Sequence, residues 1–338
     1  MSTAPRSIHV FVVLPPQTLL LDVAGPIEVL RKANQVQDAI RFDVRYVGPA
    51  SSVTSSIGLP LSGIEALPPQ LPEGAVVVVS GNADEVLATA GGTVDASDRQ
   101  SGEQAIVSWL RDVVRPGIVL ISICSGALLA ARAGLLDGHD CTTHFGSCEE
   151  LARLAPKARV VENRLYVEDR ERLTSAGVTA GIDLMLHLVA RYVDAACAVT
   201  VARFLVVYLR RGGSDPQLSP WMEGRNHIHP VIHRVQDAIA AQPARSWTLE
   251  SLARKAGASP RHLSRLFNDH AGMSVPDYVN RLRVAVAREL LGHTRLDMER
   301  VAERAGFGST RQLRRAWSRF YASPPSAARR AEGPALQP

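Results

Sequence analysis

The sequence lacks any long apolar run. The stretch from Ile8 to Leu14 is broken by Pro15-Pro16, and Arg6 is the one basic residue before it. That is too short for a signal core or for a membrane span, which needs about 20 apolar residues, so a cytoplasmic protein with no membrane partner is expected. Cysteine is scarce. Cys124, Cys141, Cys148 and Cys197 have neither the paired spacing of a zinc site nor the density of a disulfide scaffold, and reduced thiols are expected. HExxH, CxxC, a Gly-rich phosphate loop and paired carboxylates are all missing, which gives no reason to expect a metal or a cofactor.

What is present is enough chain for several cores and a marked charge asymmetry. A length of 338 residues with 46% apolar content suggests two or three domains at roughly 100–200 residues each. Between Ala244 and Arg330 there are 17 Lys or Arg against 7 Asp or Glu, a net of +10, while the remainder carries 21 basic and 26 acidic residues, a net of −5. A basic module on a mildly acidic body points to double-stranded DNA as a partner. An Arg-rich solvated surface is the plainer alternative.

Within that basic stretch a pattern occurs twice. Leu252-Ala253-x-x-Ala256-Gly257, Ser259 and Leu263-x-x-Leu266-Phe267 reappear as Val301-Ala302-x-x-Ala305-Gly306, Ser309 and Leu313-x-x-Ala316-Trp317, with Phe307 inserted. A small-residue helix, a glycine turn and a second helix opening at a Ser cap form a helix-turn-helix. A helix from Val275 to Leu291 joins the copies and carries Val275, Tyr278, Val279, Leu282, Val286 and Leu290 on one stripe. Another helix is expected from Pro230 to Ala241, and the last residues, Ala331 to Pro338, read as frayed.

The first two-thirds alternate strands and helices. Ile8–Leu14, Phe42–Val47, Ala75–Ser80 and Ile118–Ile123 read as buried strands, Leu19–Ala33, Gln104–Val114 and Ala127–Ala133 as helices, Arg164–Ser175 as a hairpin, and Gly181–Val207 as a helical region broken near Asp194. The expected fold is a doubly wound α/β domain with a mostly parallel sheet over residues 1–211, a Gly/Pro/Ser-rich linker over 212–226, and an all-α tandem helix-turn-helix domain over 227–330. Ligand sites in such sheets lie at the carboxyl ends of strands. There Cys124-Ser125-Gly126 turns a strand into a helix, where the helix N-terminus favours a thiolate. His144 and Asp22 supply a base and an acid; a capping role is the plain alternative for each, and a core thiol the plain alternative for Cys124.

The C-terminal stretch from Val231 to Arg329 resembles AraC/XylS-type transcription regulators, through the two copies, Ala305-Gly306-Phe307 and the ending Phe320-Tyr321-x-x-x-Pro325; Ala322 stands where that family usually has Gly. The resemblance implies that the second helix of each copy enters the major groove, with Arg261, Ser264 and Arg265, then Thr310, Arg311 and Arg315, facing the bases, and with Arg314, Arg319 and His262 on phosphates. Ile8 to Tyr208 is similar to the ThiJ/PfpI-like, class I glutamine amidotransferase-like superfamily, and CSGALLAARAGLLDGHDCTTH and LTSAGVTAGIDLMLHLV are in the style of the GlxA-type regulators that fuse the two domains. This implies a small-molecule effector, amine- or amino-acid-derived compounds being common in the family, held near Asp22, Cys124, Ser125 and His144 without turnover, in a homodimer acting with RNA polymerase. Catalytic relatives, isocyanide hydratases among them, use the Cys and the acid on a substrate, so a Cys124-dependent hydratase or hydrolase is the alternative; a thiol redox regulator is a third.

Overall fold

The computed structural model describes residues 5–83, 86, 87, 95–207, 211–213, 217, 221, 224, 225, 227, 229–321 and 323–329. Ala322 and Ala331–Pro338 lie outside them. The chain divides into two compact units, Met1–Gln217 and Leu218–Pro338.

The first unit runs β1 (Arg6–Val13), α1 (Leu20–Val36), β2 (Ile40–Gly48), the short strands β3 (Ser52–Thr54), β4 (Pro60–Ser62) and β5 (Glu65–Ala66), then β6 (Val76–Val79), α2 (Ala96–Val113), β7 (Val119–Ile123) and α3 (Gly126–Arg132). It continues through β8 (Asp140–Cys141), α4 (Cys148–Leu154), β9 (Arg159–Val160), the hairpin β10 (Tyr166–Asp169) and β11 (Arg172–Ser175), α5 (Ala180–Tyr192) and α6 (Ala195–Phe204). The main sheet has the order β10-β11-β7-β6-β1-β2-β5 and is parallel apart from the β10–β11 pair.

Strand periodicity explains the layers. Val10 and Val12 of β1 join α1, α5 and α6 in one core, whereas Phe11 and Val13 join α2 and α3 in the other. Both faces are covered, so the central strands read as unbroken apolar runs rather than as alternations. The second helix starts at Ala96, not near Gln104 as the periodicity suggests. Its first eight residues are mostly polar, and the Asp95 side chain caps them by accepting from Ser97 N at 3.2 Å. The break at Asp194 falls where expected, with its carboxylate capping α6 through Cys197 N at 2.7 Å.

The second unit is α7 (Pro230–Ala241), α8 (Leu249–Ala256), α9 (Pro260–Ala271), α10 (Val275–His293), α11 (Met298–Arg304), α12 (Thr310–Trp317) and α13 (Pro325–Ala328). Side chains of Thr248, Ser259, Ser274, Asp297 and Ser309 cap five of these helices. Such caps are worth about 1 kcal/mol each. Two cores form, one beneath each helix-turn-helix. The single stripe expected on α10 holds only in part: Val275, Tyr278, Val279 and Leu282 are buried in the first core, but Val284, Ala287 and Leu291 enter the second, leaving Val286 and Leu290 half-buried. One helix serving two cores must turn its apolar face part-way along.

Of the segment read as a linker, the Gly213 carbonyl accepts from Leu165 N, Gln217 donates to the Thr143 carbonyl at 2.7 Å, and Trp221 packs on the first helical core. No helix among the described residues is long and apolar enough to cross a membrane.

Candidate functional site

In the first unit, loops from the carboxyl ends of β1, β6, β7 and β11 converge on Cys124. The thiol residue follows β7 directly and is held at φ 55°, a left-handed conformation disfavoured for residues with a Cβ. Its backbone is pinned: Cys124 N donates to Ser175 O at 3.0 Å, and its carbonyl accepts from Thr143 Oγ1 at 2.8 Å and from Ala127 N at 3.2 Å. Val178, β-branched and at φ 52°, is a second strained residue in the same place. Strain of this sort costs about 1–3 kcal/mol per residue and persists where surrounding structure over-determines it.

Asp22 is the acid that meets the thiol. It is not the helix cap considered from the sequence. It sits in the first turn of α1, fully buried, and accepts from Val178 N at 2.6 Å and Gly81 N at 3.2 Å, with a further hydrogen bond to Cys124. Burial raises its carboxyl to about 6, against the lowering effect of the three hydrogen bonds. Two glycines make this approach feasible. A Cβ at Gly81 would lie 2.4 Å from Asp22 Oδ2, and one at Gly177, which has φ +81°, would lie 2.2 Å from Cys124 Cβ.

The other two proposed ligand contacts sit differently. Ser125 Oγ accepts from Asn82 N at 2.9 Å and donates to Asn82 O at 3.1 Å, which ties β7 to the loop after β6. His144 occupies the cap of a single turn, Phe145–Ser147, where its Nδ1 accepts from Gly146 N at 3.3 Å and its ring lies 4.2 Å from that of Phe145. Desolvation lowers the His144 pKa. Sequence reasoning passed over Gly81, Asn82, Thr143 and Gly177-Val178. The glycines were visible as breaks after strands, but their closeness to Cys124 depends on pairings across the sheet.

In the second unit, α9 and α12 each follow a tight turn closed by a left-handed glycine, Gly257 at φ 64° and Gly306 at φ 86°. Leu263 and Phe267 anchor α9 inward, and Leu313, Ala316 and Trp317 anchor α12. Opposite these anchors Arg261, Arg265, Arg311, Arg314 and Arg315 are exposed, with Ser264 and Thr310 half-buried beside them. Arg261, Arg311, Arg314 and Arg315 take no ion-pair partner among the described residues, while Arg265 Nη2 lies 3.5 Å from His262 Nδ1. Arg319 is different: it pairs with Asp277 at 2.9 Å, so its charge is already partly offset.

Residues 8–191 match the DJ-1/PfpI family, and residues 252–331 match a helix-turn-helix domain. The chain is 30% identical over 316 residues to the HTH-type transcriptional regulator CdhR of Pseudomonas aeruginosa, covering 93% of this chain and 89% of that protein. It is 29% identical over 318 residues to the HTH-type transcriptional regulator GlxA of Rhizobium meliloti, covering 93% of each. An isonitrile hydratase of Pseudomonas putida is 30% identical over 195 residues, 58% of this chain and 76% of the hydratase. With a thiol on a strained backbone against a buried acid at the head of a doubly wound sheet, and two capped helix-turn-helix pairs later in the chain, the chain belongs to the DJ-1/PfpI family and carries a C-terminal AraC-type helix-turn-helix domain, the two-domain architecture of the GlxA-like regulators.

Proposed function

We propose that the protein is a sequence-specific DNA-binding transcription regulator whose α/β unit binds a small metabolite beside Cys124. The observation that carries the DNA reading is the pair of matched helices α9 and α12, each anchored on its own core and each presenting guanidinium groups that take no carboxylate among the described residues. A guanidinium fork matches O6 and N7 of guanine, each good pair giving about 1–3 kcal/mol of discrimination. Arg261, Ser264, Arg265, Thr310, Arg311 and Arg315 read bases in two successive groove segments roughly 34 Å apart. Arg314 and His262 contact phosphates, and relatives named as HTH-type transcriptional regulators over almost the whole chain support the same reading.

Residues 1–211 are the sensor, 212–226 the connection and 227–330 the reader. Asp22, Cys124, Ser125 and His144 border the effector, an amine- or amino-acid-derived compound, and occupancy shifts the population of reader geometries in a homodimer that acts on RNA polymerase. A thermal-shift screen of the full chain against metabolites tests the sensor, because a ligand binding only the folded state raises the midpoint. Quantitative gel shifts at fixed salt test the reader: Arg315→Ala weakens cognate binding far more than binding to random duplex. Equal losses on both would reduce Arg315 to a phosphate contact.

A second reading, a Cys124-dependent hydratase, is favoured by the thiol held at φ 55° against an acid with a pKa of about 6. Hydration of small isocyanides by wild type, lost in Cys124→Ala, would move the assignment there.

A further inference from the structure

Four histidines of the second unit gather where the chain enters α7 and where α9 ends. His227 and His229 precede α7, His233 lies in its first turn, and His270 lies in the last turn of α9. Their rings lie in tilted contact: His227 is 4.4 Å from His233 and 5.8 Å from His270, and His229 is 4.5 Å from His270. His227 Nδ1 accepts from His229 N at 3.3 Å, and His233 Nε2 meets the His227 carbonyl. Two ring nitrogens, His227 Nε2 and His229 Nδ1, are buried without a hydrogen-bond partner among the described residues. Among the described residues no three such side chains are placed to hold a metal ion; the rings lie against one another rather than around a point.

An imidazole cluster of this sort is compact while its rings are neutral. One added proton is tolerable, but further protons place like charges roughly 4–6 Å apart in a half-buried setting, where repulsion is weakly screened. Among the described residues no carboxylate pairs with the four rings. Arg225 and Asp237 bind each other, and Arg234 and Asp269 are exposed. Among the described residues the groups acting on His227, apart from its own burial, are His233, His270, Gln236 and His229; α8 and α10 set no charged group against it.

We propose that this four-histidine cluster is a proton-responsive latch joining α7 to the end of α9, closed while the rings are neutral and opened in mild acid by repulsion among the imidazolium groups. The sign follows from His227, whose pKa burial and its three histidine neighbours hold below the ordinary value. A base depressed in the folded state binds fewer protons there than when unfolded. Its contribution to stability is therefore present above the ordinary histidine range, about 6.5, and is lost as pH falls below it. Since α9 is the first reader helix of the proposed function, acid would loosen one of the two copies and leave the other in place. The latch itself needs no DNA, so it stands or falls apart from that reading.

The test uses the full chain without DNA. Amide exchange, corrected for intrinsic rates, is followed at pH 7.5 and 5.5 in α7, α9, α11 and α12, and the four histidine rings are titrated by NMR. The expected result is a loss of protection of about tenfold in α7 and α9 on acidification, with α11 and α12 unchanged and with His227 taking up its proton below the ordinary histidine range. The exposed His270→Gln variant reduces that loss. Uniform protection at both pH values, an undiminished loss in His270→Gln, or a His227 ring titrating at the ordinary value would each overturn the latch.

Discussion

The surroundings of Cys124 in the first unit and the arginine face of the second handle charge and strain in opposite ways. Around Cys124 an ionisable carboxyl is fully buried, its two backbone donors come from loops far apart in the sequence, and Cys124 and Val178 stand in disfavoured backbone conformations. On α9 and α12 the guanidinium groups face water, the caps are local, and the left-handed positions Gly257 and Gly306 are glycine. The first arrangement suits a site that must hold one small molecule in one geometry. The second suits a surface whose charges are kept available for an external polyanion.

The contrast is most exposed to test at two glycines. Gly177→Ala would press a Cβ to 2.2 Å from that of Cys124 at a φ of +81°, whereas Gly257→Ala, at φ +64°, meets open space. The expected loss is more than roughly 3 kcal/mol for the first and about 1–2 kcal/mol for the second, read from thermal or urea unfolding. Equal losses would erase the distinction between a crowded thiol site and an open turn.

The pH responses should also oppose each other. Asp22 is an acid whose folded value, about 6, lies above the 3.8 of the free group. The folded state therefore holds its proton longer, and this contribution is fully present below about pH 4 and lost as pH rises through about 6, roughly 3 kcal/mol in total. His227 has the reverse slope. Amide exchange in α1 and β7, comparing wild type with Asp22→Asn, should show the wild-type advantage shrinking from pH 4 to pH 7; a gap that does not change with pH would place the Asp22 carboxyl at its ordinary value.

Smaller effects refine each side. Arg315→Ala should cost about 1–3 kcal/mol on cognate DNA and Arg319→Ala less than 1, since Arg319 already pairs with Asp277; gel shifts that rank them the other way would exchange their roles. Removing the carboxylate beside the thiol with Asp22→Asn should speed alkylation of Cys124 above pH 6 by about tenfold, measured by mass spectrometry. An unchanged rate would mean that Asp22 does not govern the thiol.

Much of this was legible in the sequence because its causes are local. Pro230 at the start of α7, Thr248, Ser259 and Ser309 as caps, and the Val-rich strands each carry their structural reason within a few residues. The strand-to-helix turn at Cys124 was legible for the same reason. Non-local features were not: the Asp22–Val178 hydrogen bond joins residues 156 apart, and His270 meets His227 only once α9 has folded against the start of α7. The polar start of α2 was missed because a cap such as Asp95, not apolar periodicity, determines it.

The central claim, that two arginine-bearing helices read DNA sequence, is tested most directly by selecting duplexes from a random pool with the full chain and footprinting the winners. Two protected segments about one helical turn apart are expected, each containing guanine, with selectivity lost in the Arg265→Ala, Arg315→Ala double variant while salt-sensitive binding to random duplex persists. Selection of no sequence by wild type, or selectivity undiminished in the double variant, would contradict it.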